Sequence, residues 1–231
     1  MAELTGGELL ALWEEGAEMH PLDRGLLALR AGYRHEPSEG FADWPVGRRN
    51  QALAALRCAS FGPELQAVVT CPGCGEALEF SFDAGVIAAP AAAAAPVVTA
   101  AGLSFRLPTS RDLAGVAGYA DARRAALALA EACCLDTLGF WPDAVVEQAG
   151  EALAAADPMA ETRLELVCPA CGERWADNLD IEAFYWNDVD AAARSLMATV
   201  HALAAAYGWA ERDILALSEV RRAAYVAMAG G

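Results

Sequence analysis

The spacing of apolar residues predicts that the chain begins with two helices. Leu9, Leu12 and Trp13 share one face of the first helix, and Thr5 can cap its first turn. Pro21 fits the first turn of the second helix, because proline is tolerated where a backbone N–H has no partner inside the helix. A loop-like segment follows, before the next helical stretch.

The pattern then changes from a helical period to an extended one. Leu78, Phe80 and Phe82 alternate with polar residues, which is the period of a strand with one buried face. Strands are predicted at residues 65–70, 77–83, 103–107, 163–167 and 174–180. Thr109 or Ser110 is placed to cap a helical region after the third of these strands.

Helical spacing returns over much of the remaining chain. Everything from Ile181 onward has a helical pattern, and Gly208 ends the longest helix because glycine accepts a left-handed conformation. Helices after the first two are predicted at about residues 47–60, 121–135, 144–155, 188–206, 210–217 and 218–228.

Two nearly identical hexapeptides follow predicted strands. They are Cys71-Pro-Gly-Cys74-Gly-Glu and Cys168-Pro-Ala-Cys171-Gly-Glu. A C-x₂-C pair followed by glycine is typical of a metal-binding knuckle, since glycine permits the left-handed turn that aims both sulfurs at one point. One knuckle supplies two thiolates and a structural Zn²⁺ site needs four, so we expect both knuckles to close on one ion.

Four thiolates would fill the coordination shell, which indicates a structural ion and not a catalytic one with an open position. Iron in a rubredoxin-like site uses the same sulfur tetrahedron, so spacing leaves Zn²⁺ and iron as alternatives. Another alternative is that each knuckle binds metal only within an oligomer. Residues 75–167 separate the knuckles, and this long insertion is tolerable because loop-closure entropy grows only with the logarithm of length.

These elements predict an α+β fold that is mainly helical, with a small antiparallel zinc-ribbon sheet split by a long helical insertion. The predicted regions are an N-terminal helical region (1–62), a discontinuous ribbon (63–83 and 162–180), the insertion (84–161) and a C-terminal helical region (181–231). Residues 86–100 are Ala- and Pro-rich and are interpreted as a low-complexity linker. A five-Ala helix is the alternative there, although it is too short to persist alone.

Composition narrows the classes of function. The formal net charge is −16, which opposes a phosphate-binding surface and favours protein partners. No stretch resembles a membrane span or a secretory signal, so neither is expected. Seven cysteines, an odd number, with C-x₂-C spacing fit a reducing cytoplasm better than a disulfide framework. Cys58 is expected in the core, and of the adjacent Cys133 and Cys134 one is expected in the core and the other partly exposed.

No pattern of an enzyme is present in the sequence. His20, His35 and His201 lie far apart and form no recognisable triad with Ser or Cys. The pair His35-Glu36 lacks the spacing of the zinc deaminase signature, and no P-loop or dinucleotide-binding motif is found. We therefore expect neither an enzymatic activity nor a small-molecule substrate.

A zinc ribbon that binds nucleic acid or a transcription complex is the alternative function. The knuckles carry Glu76 and Glu173 where such a ribbon would favour Lys or Arg. The arginine pairs at 48–49, 123–124 and 221–222 are isolated and do not form a basic stripe. Charge therefore argues against this alternative.

Aromatic residues near the C-terminus are candidates for a partner surface, since Trp and Tyr are enriched in interface hot spots. A place in the core beneath the ribbon is the alternative for at least two of the five. The candidates are Phe184, Tyr185, Trp186, Trp209 and Tyr225.

With these patterns in view, the chain resembles the T-even-type baseplate hub assembly chaperones of contractile-tailed phages and contractile injection systems. The resemblance covers mainly residues 65–228. It rests on the segment 103–113 before an Ala-rich helix, the C-P-x-C-G knuckles, the block 184–188 and the tail from Tyr207 to Tyr225. It implies a non-enzymatic cytoplasmic factor that assembles the baseplate hub, or a minor structural component of the particle. The implied partners are other baseplate, hub or tail proteins.

Overall fold

The computed structural model describes residues 4–34, 38–89 and 95–230. Helices make up most of these residues, and each strand belongs to a short antiparallel hairpin. The predicted α+β class is confirmed. His35, Glu36 and part of the predicted linker lie outside the described residues.

The N-terminal region consists of three α-helices and a short 3₁₀ helix. Its elements are α1 (Gly6–Gly16), α2 (Pro21–Gly32), the 3₁₀ helix Ser38–Asp43 and α3 (Val46–Phe61). The helix starts confirm the capping prediction: Thr5 and Glu8 form a reciprocal capping box, and Pro21 occupies the first turn of α2. The 3₁₀ helix lies in the segment that the sequence predicted as a loop.

The two predicted ribbon halves are separate two-stranded hairpins. The first pairs β1 (Glu64–Thr70) with β2 (Ala77–Asp83), and the second pairs β5 (Thr162–Val167) with β6 (Arg174–Leu179). In β2, the half-buried Leu78, Phe80 and Phe82 alternate with exposed polar residues, as predicted. The less exposed face of each hairpin therefore packs against the rest of the protein.

The insertion between the hairpins has its own secondary structure. It contains α4 (Gly85–Ala88), β3 (Val97–Ala100), β4 (Leu103–Arg106), α5 (Ser110–Val116), α6 (Ala122–Cys133) and α7 (Asp143–Ala156). The linker prediction for 86–100 is corrected at both ends, because α4 occupies its start and β3 pairs with β4 at its end. Thr109 caps α5 in a box with Asp112, as the sequence predicted.

The C-terminal region is built on one long helix. This helix, α8 (Ile181–Tyr207), begins directly after the second hairpin, and Gly208 ends it in a left-handed conformation. Two shorter helices follow, α9 (Glu211–Leu215) and α10 (Glu219–Ala229). No helix in the described parts of the chain combines the length and hydropathy needed to cross a membrane.

Two main clusters of apolar side chains stabilise these elements. The larger joins α1, α2 and α3 to the start of α8 and the inner ends of the ribbon hairpins, with Leu29, Leu53 and Tyr185 fully buried. The smaller lies within the insertion and centres on Phe105 and Cys133. The insertion therefore has a core of its own.

Polar contacts from the first turn of α3 hold the insertion at two points. The backbone N–H of Gly47 donates to Oδ2 of Asp157 (2.8 Å), and Nη1 of Arg49 donates to Oγ of Ser110 (3.3 Å). A side chain at position 47 would collide with the Asp157 carboxylate, so this close approach requires glycine. These contacts fix the start of α5 and the end of α7 against α3.

Candidate metal centre

Each hairpin carries its knuckle at the turn, and the two knuckles have the same backbone geometry. The N–H of Cys71 donates to the carbonyl of Glu76, and the N–H of Cys168 donates to that of Glu173, both at 2.9 Å. Gly75 and Gly172 both have φ of +77°, the left-handed conformation predicted for these positions. The repeated hexapeptide thus folds twice into the same turn.

The four knuckle cysteines meet at one point. Their Sγ atoms all lie within 4.8 Å of one another. Two of the sulfur contacts join opposite knuckles, with Cys71 and Cys171 at 3.6 Å and Cys74 and Cys168 at 3.7 Å. The predicted set of ligands is therefore assembled within a single chain, and it can hold a metal ion.

Electrostatics at this point favours a bound cation. Burial opposes ionisation of Cys168, but the backbone N–H groups of Cys171 and Ala170 help lower its pKa to about 7. The backbone N–H of Glu173 favours the Cys171 thiolate, yet the neighbouring sulfurs raise the pKa of Cys171 to about 12. Four thiolates at these distances would repel one another. A bound divalent cation would neutralise part of their negative charge and reduce this repulsion.

The repeat extends beyond the hexapeptide, which sequence reasoning missed. Asp83 and Asp180 each lie nine positions after the last cysteine of their knuckle, at the end of the returning strand. Asp83 accepts a hydrogen bond from the N–H of Gly85, and Asp180 accepts from those of Glu182 and Ala183 at the start of α8. The equal spacing in the sequence could have revealed this longer repeat. The order strand, knuckle, strand, Asp and helix occurs twice, with the same number of residues between the knuckle and the Asp.

The aromatic block at the start of α8 lies largely inside the protein. Tyr185 is 1% exposed and packs beside Phe61, so its prediction as a partner-binding residue is corrected. Phe184 and Trp186 are half-buried against the same core. The Trp186 ring lies against Gly16 of α1 and under the guanidinium of Arg24, 5.0 Å from the ring centroid.

The other two candidates lie together at the far end of α8. Trp209 stacks on Tyr207 with ring centroids 4.7 Å apart, and Tyr225 of α10 meets Trp209 edge-on at 4.9 Å. Tyr207 was not among the predicted residues, although it belongs to the same tail pattern. It is exposed, and Trp209 and Tyr225 are half-buried. We call these three residues the C-terminal aromatic cluster.

The histidines and other cysteines that the structure describes lie away from the knuckles. His20 caps α2 by accepting a hydrogen bond from the N–H of Leu22, and His201 is exposed on α8. Cys133 is buried in the insertion core with a pKa raised to about 11 by burial, and Cys134 is half-buried, as expected. Cys58 is half-buried, not fully buried as expected.

The fold and the site together show an α+β protein in which two repeated hairpins bring four cysteines into one candidate metal site. Comparisons with protein-family models, curated proteins and solved structures gave no match.

Proposed function

We propose that the four cysteines bind one structural Zn²⁺ and that the protein is a non-enzymatic assembly factor or minor structural component of a contractile phage tail or contractile injection system. The observation that carries the metal part is the single four-sulfur cluster. A tetrahedral site with Zn–S bonds of about 2.3 Å has sulfur–sulfur edges of about 3.8 Å. The sulfur pairs that join opposite knuckles, at 3.6 and 3.7 Å, are near that value.

Cys71, Cys74, Cys168 and Cys171 would supply the whole coordination shell. The bound Zn²⁺ would supply charge neutralisation and a rigid link between the hairpins, with no open position for a substrate. This complete shell supports a structural role and a protein without enzymatic activity.

The C-terminal aromatic cluster supports contact with a protein partner. Aromatic side chains that combine a packed base with an exposed edge are typical of interface hot spots. The neighbouring helix α10 buries none of its residues within this chain, and Val220 and Met228 are 80% and 63% exposed. The net charge of −16 favours a protein partner over nucleic acid.

Affinity purification of the tagged chain from its native cells tests the functional part. The wild-type chain is expected to capture baseplate, hub or tail proteins, and Trp209→Ala should reduce their recovery about tenfold, the size of a modest hot-spot loss. Phe140→Ala is the matched control, because Phe140 is an exposed aromatic residue of the insertion. Melting temperatures of both variants separate lost binding from lost folding.

Two outcomes would overturn this function. Capture of no tail component by a folded, metal-loaded chain would exclude the assembly role. Salt-sensitive binding of DNA or RNA near physiological ionic strength would favour the nucleic-acid alternative instead.

A further inference from the structure

The four knuckle cysteines differ in their exposure to solvent. The first cysteine of each knuckle is buried, since Cys71 and Cys168 are each 1% exposed. The second cysteine of each knuckle, Cys74 or Cys171, is exposed. Oxidants in solution therefore reach one sulfur in each knuckle first, because oxidation follows thiolate character and exposure.

Each exposed cysteine has a buried cysteine of the opposite hairpin within 4 Å, sulfur to sulfur. Cys171 is 3.6 Å from the buried Cys71, and Cys74 is 3.7 Å from the buried Cys168. A sulfur that has been oxidised to sulfenic acid is attacked by a nearby thiolate. The geometry thus pairs each exposed sulfur with a buried resolving partner across the two hairpins.

We infer that the cluster is an oxidation site, at which a hydroperoxide replaces the metal with two covalent cross-links, Cys71–Cys171 and Cys74–Cys168. This inference rests on the proposed zinc site. The cross-links would keep the hairpins joined after the ion has left, whereas removal of the ion by a chelator would leave them unlinked.

The chemistry balances with hydrogen peroxide as the oxidant. An exposed thiolate attacks one peroxide oxygen, the O–O bond breaks, and hydroxide leaves to give a sulfenic acid. The buried thiolate attacks the oxidised sulfur, a disulfide forms, and a second hydroxide leaves. Solvent protons convert both hydroxides to water. Two peroxide molecules oxidise the four thiolates to two disulfides and release one Zn²⁺.

The test uses the zinc-loaded full chain with Cys58→Ser, because Cys58 shares a tryptic peptide with Cys71 and Cys74. Hydrogen peroxide is added stepwise, released zinc is followed with a chromogenic chelator, and disulfides are mapped by mass spectrometry without reduction. The expected result is release of one zinc per two peroxides, with peptide 58–106 joined to peptide 164–174. Fragmentation of this pair should show Cys71–Cys171 and Cys74–Cys168.

The outcomes distinguish a failure of this inference from a failure of the proposed metal site on which it rests. Reduced protein without zinc would overturn the metal site and the inference together. Zinc-loaded protein that forms Cys71–Cys74 and Cys168–Cys171 within the knuckles would overturn the inference alone. Zinc retained at excess peroxide, or sulfinic acids in place of disulfides, would also overturn it.

Discussion

At the scale of single residues, two glycines allow α8 to pack closely against α1 and α2. Gly16 lies where α1 meets the Trp186 ring, and a Cβ built there would be 2.0 Å from Cη2 of that ring. Gly25 of α2 faces the Glu182 carboxylate in a similar way. The first turns of α8 can enter the space between the N-terminal helices because these positions carry no side chain.

Substitution of Gly16 by alanine is expected to destabilise the protein. The added methyl group must displace the Trp186 ring, and overpacking of this kind costs about 1–3 kcal/mol. Gly7→Ala in the same helix is the matched control, because a Cβ there meets nothing within 4 Å. This control should raise the free energy of unfolding by about 0.5–1 kcal/mol. Urea unfolding of both variants checks the prediction, and equal effects would contradict it.

Glu182 is a buried carboxylate at the start of α8. It is 6% exposed, and its Oε2 lies 3.5 Å from Nη2 of the equally buried Arg49. Burial raises the pKa of Glu182 to about 7; Arg49 opposes this shift, while Asp180 and Asp23 add to it. The folded protein therefore binds this proton more tightly than the unfolded chain does.

A raised carboxyl pKa predicts that the free energy of unfolding falls as pH rises from about 4.5 to about 7. The size of this contribution is on the order of 1–3 kcal/mol. Glu182→Gln should remove it, so that the stability difference between variant and wild type changes between about pH 5 and pH 7.5. Urea unfolding across this range measures the difference.

Glu8→Gln is the control for this pH dependence. The hydrogen bond from Arg34 lowers the pKa of the exposed Glu8 to about 2, so its contribution has the opposite sign and is lost only as pH falls below about 4.5. A Glu182→Gln variant that keeps the wild-type pH dependence between about pH 5 and pH 7.5 would contradict the assignment.

At the scale of elements, the ribbon hairpins depend on the metal site more than the rest of the chain does. Each is an isolated two-stranded sheet, which is marginally stable in water. They reach the main core through the buried Leu65 and Leu179, and Ala67, Phe82 and Leu164 pack against it. The insertion core around Phe105 is built from other elements and does not include a knuckle residue.

Removal of the metal is therefore expected to act locally. After treatment with a chelator, amides of residues 64–83 and 162–179 should exchange hydrogen at least about tenfold faster, most strongly next to the knuckles. Amides of α6 and β4 in the insertion core serve as the internal control and should change little. Hydrogen-exchange mass spectrometry makes the comparison, and equal protection of the hairpins with and without metal would contradict it.

The sequence predicted those elements whose signals are local. Helix starts at Thr5, Pro21 and Thr109 are confirmed, because a cap and its partner lie within one turn. Strand β3 was missed, because Val97–Ala100 adjoins an Ala- and Pro-rich tract and becomes a strand through pairing with β4. A place in the core was the alternative for at least two of the five aromatic residues, but the sequence did not indicate that Tyr185 is one of them, since its burial depends on helices far away in sequence.

At the scale of the whole molecule, the cysteine cluster connects regions that are distant along the chain. It joins hairpins separated by residues 84–161, and contacts from α3 to α5 and to Asp157 hold this insertion against the N-terminal region. The N-terminal helices and the start of α8 share one core beneath the hairpins. Bound metal would add a rigid link to this arrangement without taking part in a reaction.

Quantification of zinc in the purified chain by element-specific mass spectrometry tests this account most directly. The wild-type protein and the Cys134→Ser control should each contain one Zn²⁺ per chain, because Cys134 lies outside the cluster. Cys74→Ser should lose most of its zinc and melt about 5–10 °C lower, as expected for the loss of a few kcal/mol. Wild-type protein with four reduced knuckle thiols, no stoichiometric metal and the same melting temperature as Cys74→Ser would contradict the account.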